Sequence, residues 1–464
     1  MAKDFGTMLT NELTERFAAF QPSDVPTAAL NSAKYALLDG IGVMMAASGL
    51  SPDVDVFSRL ATGMGPGPCR ILGTQHNVTP LMAALANGAM MHALDYEDSF
   101  DPAPGHPNAS LVPALLALSQ SRAPVSGPRF LTAMVAGCEL ACRMAMALEQ
   151  RMEVGGWYPP PILAGHGATL GAAHLLGLSS QQMADALSLA LCQMTMPGEI
   201  KYSERTVIRA IREAFPAQTA VQSVLLAEQG LAGFEQPLEG RAGFYALYAD
   251  GRFSPDVLLA PLEGHFHIEE LTFKAWPSCR GTHPFIEMAL ALQAQHGFAP
   301  DDIRGIRVGV GPMQRMLVEP IDRKRAPAVA IDAKFSVPFC VATALVDGGV
   351  GLDSFGADSL RNAAVLKLAA KVDFEEPEGA AQWRGDAGTI AITLADGRYL
   401  SATLPRARGT PESPLSEQEL LDKFLDCTAR AAVPLSAQQA QQLADRILAL
   451  ESCDDVGALI AFAD

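Results

Sequence analysis

The densest group of chemically able side chains lies in one short run, His92-Ala-Leu-Asp95-Tyr-Glu97-Asp98-Ser99-Phe-Asp101. Pro102, Pro104, Gly105 and then His106-Pro107 follow it. Carboxylates, a hydroxyl and imidazoles are the groups that move protons and hold a polar substrate. The run ends an apolar stretch from Pro80 to Ala93, with Met82, Leu85, Ala86 and Ala89 at helical spacing, Thr79 placed to cap it and Pro80 at the first helical position. The prolines and glycine beyond it place His106 on an irregular loop. A packed helix followed by a stiff loop suits a preorganised site. The plain alternative for acids after a helix is a solvated turn.

Such groups need a frame, and the pattern supplies one. With 464 residues, 49% of them apolar and 18% charged, the chain has room for one large domain, a smaller one and a sizeable core. Helical apolar spacing runs through Pro26 to Ala47, Pro80 to Ala93, Ser110 to Gln120, Phe130 to Glu149, Ile162 to Leu176, Ser180 to Cys192 and Thr206 to Gln229. Small residues between Gly165 and His174 let backbones approach closely, which predicts a central packed helix. Near residue 267 the texture changes. Glu270 to Trp276 and Ile306 to Val310 alternate like strands, while Thr389 to Leu394 and Tyr399 to Leu404 read as a hairpin turning at Asp396-Gly397. His283 to His296 and Ala333 to Val346 are helical between them, and Glu417 to Cys427 and Ser436 to Leu450 return to amphipathic helix. The expected fold is mainly α: a large all-helical orthogonal-bundle domain (1–266 plus 406–464) with a smaller inserted α+β lid domain (267–405).

Composition also excludes. A net charge of −17, from 51 acids against 34 bases, repels nucleic acid and anionic membrane, and no basic run overrides it. No stretch of about 18 apolar residues runs without a charge or breaker, so no membrane span is expected. The N-terminus shows no apolar core before a cleavage site, so a cytoplasmic place is expected. Eight scattered cysteines without a C-x-x-C, including Cys138 and Cys142 one turn apart among apolar neighbours, read as reduced thiols. No Gly-rich phosphate loop follows a strand.

The His92-to-Pro107 run resembles the signature of the MmgE/PrpD family, H-A-hydrophobic-D-aromatic-D-D-S/T followed by H-P. Three further stretches are similar in the same order. Gly156-Trp-Tyr158-Pro-Pro160 resembles G-W-H-P-T, with Leu175-Leu-Gly-Leu178 closing that unit. Lys274-Ala-Trp-Pro-Ser-Cys279-Arg-Gly-Thr-His283 resembles K-x-aromatic-P-x-C-x-x-x-H. Asp332-Ala-Lys-Phe-Ser336 through Leu345 resembles E-A-x-F-S-x-x-Y-x-V-A-x-A-L. The resemblance spans nearly the whole chain. It implies a large helical domain and a smaller lid with a site between them, a homodimer, and chemistry without a redox cofactor or metal on a small di- or tricarboxylate. Branches of the family dehydrate 2-methylcitrate, decarboxylate cis-aconitate or epimerise iminodisuccinate.

That chemistry makes or breaks a bond beside a carboxylate, building negative charge that cations and hydrogen-bond donors must stabilise. By resemblance His106 is the acid/base, and Asp95 orients it or a substrate hydroxyl. Lys274, between Phe273 and Trp276, is a lysine whose charged form burial disfavours. Ser99, Arg209, Arg212, Cys279 and His283 are candidate substrate-binding residues, and Tyr158 joins the catalytic set. The chain also departs from the family. Tyr158 and Pro160 replace the histidine and threonine of G-W-H-P-T, and Arg209 and Arg212 stand where K-R-L-H has lysine and histidine. Arginine grips carboxylates but keeps its proton, and tyrosine is a poor base near neutrality, so substrate or reaction is expected to differ. Ser99-Phe100 and Trp276-Pro-Ser-Cys279 lean towards the epimerase branch. Two rival readings remain: a catalytically silent carboxylate-binding member of the fold, and a metal hydrolase using His265 with His267 or Cys279 with His283.

Overall fold

Apolar residues at helical spacing form helices along most of the chain, as the periodicity predicts, in a computed structural model that describes residues 9–103, 105–122, 124–203 and 206–459. The principal helices are α1 (Thr27–Leu50), α2 (Pro80–Ala93), α3 (Pro107–Ser121), α4 (Gly127–Met146), α5 (Pro159–Leu176) and α6 (Ala214–Glu228). Further along come α7 (His283–His296), α8 (Val337–Asp347), α9 (Glu417–Ala429) and α10 (Ala437–Leu448). The fold is mainly α, and the chain divides into two units. The first holds the residues up to Ala93, Glu97–Leu271 and the stretch from Ser416 onward; the second holds Leu94–Tyr96 and Thr272–Leu415.

In the first unit α5 is the centre, packing against α3, α4 and α6, while α9 lies on α1. The small residues of α5 have the expected use. A Cβ on Gly167 would come within 2.4 Å of the Gly137 carbonyl oxygen, so α4 and α5 touch backbone to backbone only because neither residue carries a side chain. Nearly every residue of α5 is buried, consistent with a helix apolar on all sides.

The second unit contains a four-stranded sheet in the order β2-β1-β3-β4, formed by β1 (Ile303–Gly309), β2 (Val372–Glu375), β3 (Gly388–Leu394) and β4 (Tyr399–Leu404). β1 pairs parallel with β2 and antiparallel with β3. The β3–β4 hairpin pairs Thr393 with Tyr399 around the predicted Asp396-Gly397 turn, where Gly397 takes φ +93°. Helix α7 packs on β3, β4 and α8.

Two local expectations fail. The stretch Glu270 to Trp276 is strand only at Leu271–Thr272. Beyond it the Phe273 amide bonds to the Gly409 carbonyl, the Lys274 side chain is buried, and Pro277 has no amide to give. The helix expected from Thr206 to Gln229 is two pieces, Ile208–Ile211 and α6. The second piece starts at Ala214, so Pro216 falls in its first turn, where a missing amide costs no bond within the helix. No helix among the described residues is long and apolar enough to cross a membrane.

Candidate active site

The acids after α2 do not form a solvated turn. Asp95, Glu97 and Asp98 are at most 1% exposed. The helix delivers the chain into this loop in a tight left-handed bend at Asp95, φ +50°, a conformation that aspartate tolerates better than most residues. α3 begins earlier than its spacing suggests. Pro107 occupies the first helical position, so His106 is the capping residue of α3.

In the first unit one carboxylate oxygen lies against two imidazoles. Glu97 Oε1 lies 2.8 Å from His106 Nδ1 and in direct contact with His92 Nδ1. Glu97 accepts from His92 Nδ1 and lies at ion-pair distance from His106, whose own Nδ1 hydrogen goes to the Asp98 carbonyl at 3.1 Å. The two rings meet edge to face with centroids 4.9 Å apart. Glu97 and His92 are fully enclosed, whereas the His106 side chain is 15% exposed. It borders a cleft of about 220 Å³, counting space open to solvent, lined with Phe100, Ala103, Cys142, Pro160 and Leu163. His106 Nδ1 thus meets the Asp98 carbonyl and the Glu97 carboxylate, while Asp95, the residue expected to orient it, bonds Lys274.

Behind this loop, Asn108 Nδ2 donates to Asp98 Oδ2 at 3.0 Å, while Lys423 of α9 meets Asp39 of α1 at 2.6 Å. Burial, reinforced by the negative charge of Asp39, pushes the Asp98 carboxyl up to about 8, so it is a neutral acid at neutral pH. Nearby, Arg212 Nε donates to Glu213 at 3.1 Å and Ser110 Oγ donates to the same carboxylate at 2.6 Å. Burial raises Glu213 above the usual carboxylate range, against the pull of Arg212. Arg212 also lies over the Tyr158 ring at 5.2 Å from its centroid, and Lys201 lies at the same distance. Arg212 and Lys201 thus bring two positive charges to the Tyr158 ring within an acidic chain. Ser99 Oγ donates to Asp101 at 3.2 Å.

In the second unit Lys274 is fully buried, and its ammonium donates to the Asp95 carboxylate and, at 3.0 Å, to the Asp95 carbonyl. It is an ion-paired lysine, not one desolvated among aromatic rings alone. His283 opens α7, fully buried, with Nε2 bonded to the Ser278 carbonyl at 3.2 Å and its ring edge-on to Trp276. Burial first, then the charge of Arg280, drives its imidazole well below its ordinary value, so it is neutral. Cys279 is half-buried and gives its amide to the Lys334 carbonyl at 3.0 Å. His265 and His267 are bonded to Glu270 at 3.2 and 2.8 Å. Neither they nor the Cys279–His283 pair join a cluster of three converging donors among the described residues.

Sequence reasoning singled out His106, Asp95 and Lys274 but not their neighbours Glu97 and His92, nor Lys201 beside Tyr158. The signal for the first two was present: His92 and Glu97 stand inside the motif run, one on the last turn of α2 and one just beyond it. Lys201 had no signal beyond its charge.

Comparison with known proteins agrees with this architecture. Residues 11–256 match the MmgE/PrpD N-terminal domain and residues 276–450 the MmgE/PrpD C-terminal domain. The cis-aconitate decarboxylase-like protein oryM of Aspergillus oryzae is 25% identical over 98% of this chain and 96% of its own length. Human cis-aconitate decarboxylase is 28% identical, covering 82% of this chain and 78% of its own. The 2-methylcitrate dehydratase of Escherichia coli K12 is 25% identical, with 80% and 79% covered.

Proposed function

Because the chain belongs to the MmgE/PrpD family, we propose that it is a lyase acting on a small di- or tricarboxylate, without a redox cofactor. The relatives named above decarboxylate or dehydrate such acids, which supports this class. The observation that carries the reading is the held imidazole: His106, bonded through Nδ1 to the Asp98 carbonyl with the enclosed Glu97 carboxylate 2.8 Å away, borders a cleft. In the proposed reaction Nε2 exchanges a proton with the substrate at the reacting centre. The electron pair left or consumed there is stabilised as an enediolate by nearby cations. Arg209, Arg212, Lys201, Tyr158 and Ser99 bind substrate carboxylates, and Lys274 of the second unit is ion-paired with Asp95. Cys279 and His283 support the Lys274 segment. A homodimer belongs to the same proposal, checked by sedimentation.

The test is proton NMR in deuterium oxide with citrate, 2-methylcitrate, cis-aconitate and iminodisuccinate. Deuterium at a carbon beside a carboxylate, with a new alkene or released carbon dioxide, establishes the lyase and separates dehydration from decarboxylation. Exchange with stereochemical inversion and no lost group would replace the lyase with an epimerase. Thermal stabilisation by these acids without exchange or turnover would leave only a binding protein.

A further inference from the structure

Two helices begin at the cleft beside His106, and both begin with proline. α5 opens on Pro159, Pro160 and Pro161, so its first three positions carry no amide hydrogen, and the Tyr158 amide before them is given to the Met196 carbonyl at 2.8 Å. α3 opens on Pro107. The start of a helix ordinarily offers free N–H groups that attract carboxylates and phosphates. Pro160 and Pro107, which line the cleft, have none to offer. The rest of the wall agrees. Phe100, Ala145 and Leu163 present hydrocarbon, and among the described residues no aspartate, glutamate, lysine or arginine lines the cleft. Burial pushes the Cys142 thiol well above its ordinary range, so it adds no charge. Arg212 and Lys201, which both lie over the Tyr158 ring, are outside this lining.

We infer that this cleft receives a hydrocarbon substituent of the substrate, so that the acid acted on is an alkyl-substituted dicarboxylate rather than an unsubstituted one. A carboxylate pushed into the cleft would lose its hydration and find no donor there but His106, which is costly. An alkyl group sheds its water without that cost, and each methylene buried is worth about fourfold in affinity. Pro160 is the specificity-determining residue of this wall: its ring supplies apolar surface, and its missing amide withholds a donor. The substituent lies beside His106, and the carboxylates are left to cations outside the cleft.

The inference rests on the carboxylate-lyase reading, but its test is one of binding alone. Titration calorimetry of the full-length protein is run with succinate and its 2-methyl, 2-ethyl, 2-propyl and 2-butyl derivatives. Affinity is expected to climb about fourfold with each added carbon until the chain outgrows the cleft. A flat or falling series overturns the inference, as does failure of every member to bind. Ala145→Leu lengthens a half-buried side chain of α4 at the cleft and is expected to end the climb at a shorter chain. An unchanged climb in that variant places the alkyl group elsewhere and overturns the inference as well. Should Ala145→Leu not fold, Pro160→Thr decides, because it returns an amide and adds a hydroxyl to the wall: the climb is expected to flatten, and an undiminished one overturns the inference. A flat series with deuterium exchange on the unsubstituted acids would leave the lyase reading standing. A climbing series without exchange on any acid would sink the lyase and keep the cleft.

Discussion

Two enclosed charge pairs, one in each unit, use similar ingredients to different ends. His92–Glu97–His106 joins a carboxylate to imidazoles, which change charge near neutral pH, and leaves one ring at a cleft. Lys274–Asp95 joins a carboxylate to an ammonium, and both side chains are enclosed. In the proposed reaction the first arrangement trades a proton with a substrate. The second is suited to holding a fixed charge, because an opposite charge in contact favours the ionised form of each partner. Enclosure by itself therefore does not mark the proton-moving group. What marks it is enclosure of the support combined with exposure of one edge.

The sharpest way to break this comparison is to exchange the expected consequences. His106→Ala is expected to lower turnover by about 10²–10⁴-fold with little change in the unfolding midpoint, read by steady-state kinetics and calorimetry. A large loss of stability with turnover retained would reverse the roles of the two regions. Asp95→Ala is expected to act on stability instead. It strands the Lys274 ammonium, a change that generally costs about 3–5 kcal/mol, and urea unfolding would show it. A double variant, Asp95→Leu with Lys274→Met, should recover much of that loss; no recovery would show that the pair is not isolated.

The support of the histidine cluster has its own pH signature. Asp98 is raised to about 8, so the folded chain keeps a proton there that the unfolded chain releases near pH 4. Its contribution to stability is complete below about pH 4 and declines as pH rises, until it is lost above about pH 8. Asp98→Asn should flatten that decline in urea titrations at several pH values, and an unchanged slope would mean the carboxyl is ionised. The smallest effect is expected from Ser110→Ala, which removes one bond to Glu213 beside Arg212. About 1 kcal/mol of stability is the ordinary cost, and a weaker apparent affinity for a carboxylate would connect that network to binding.

Much of the architecture was legible in the residues. Helical periodicity located α2, α5 and α7 closely, because burying one face or all faces of a helix leaves its period in the sequence. The Asp396-Gly397 hairpin was legible because a tight turn demands a residue that tolerates positive φ. The strand expected at Glu270 to Trp276 was not, since alternation says nothing about whether a partner strand lies alongside. The start of α3 was missed by three residues: the apolar spacing begins at Ser110, while Pro107 fixes the backbone earlier.

The site divides along the same line. The sequence by itself determined the family, the acid-and-imidazole run, and the arginines that stand where the family carries lysine and histidine. Only the tertiary structure decided who pairs with whom. Asp95, Glu97 and Asp98 lie within three places of one another in the chain, yet a left-handed turn at Asp95 sends their side chains to different partners. Asp95 meets Lys274, 179 residues away, Glu97 meets two imidazoles, and Asp98 meets Asn108. Residue type fixes what a side chain can do, but its charge and its proton depend on neighbours that only folding brings within hydrogen-bond reach.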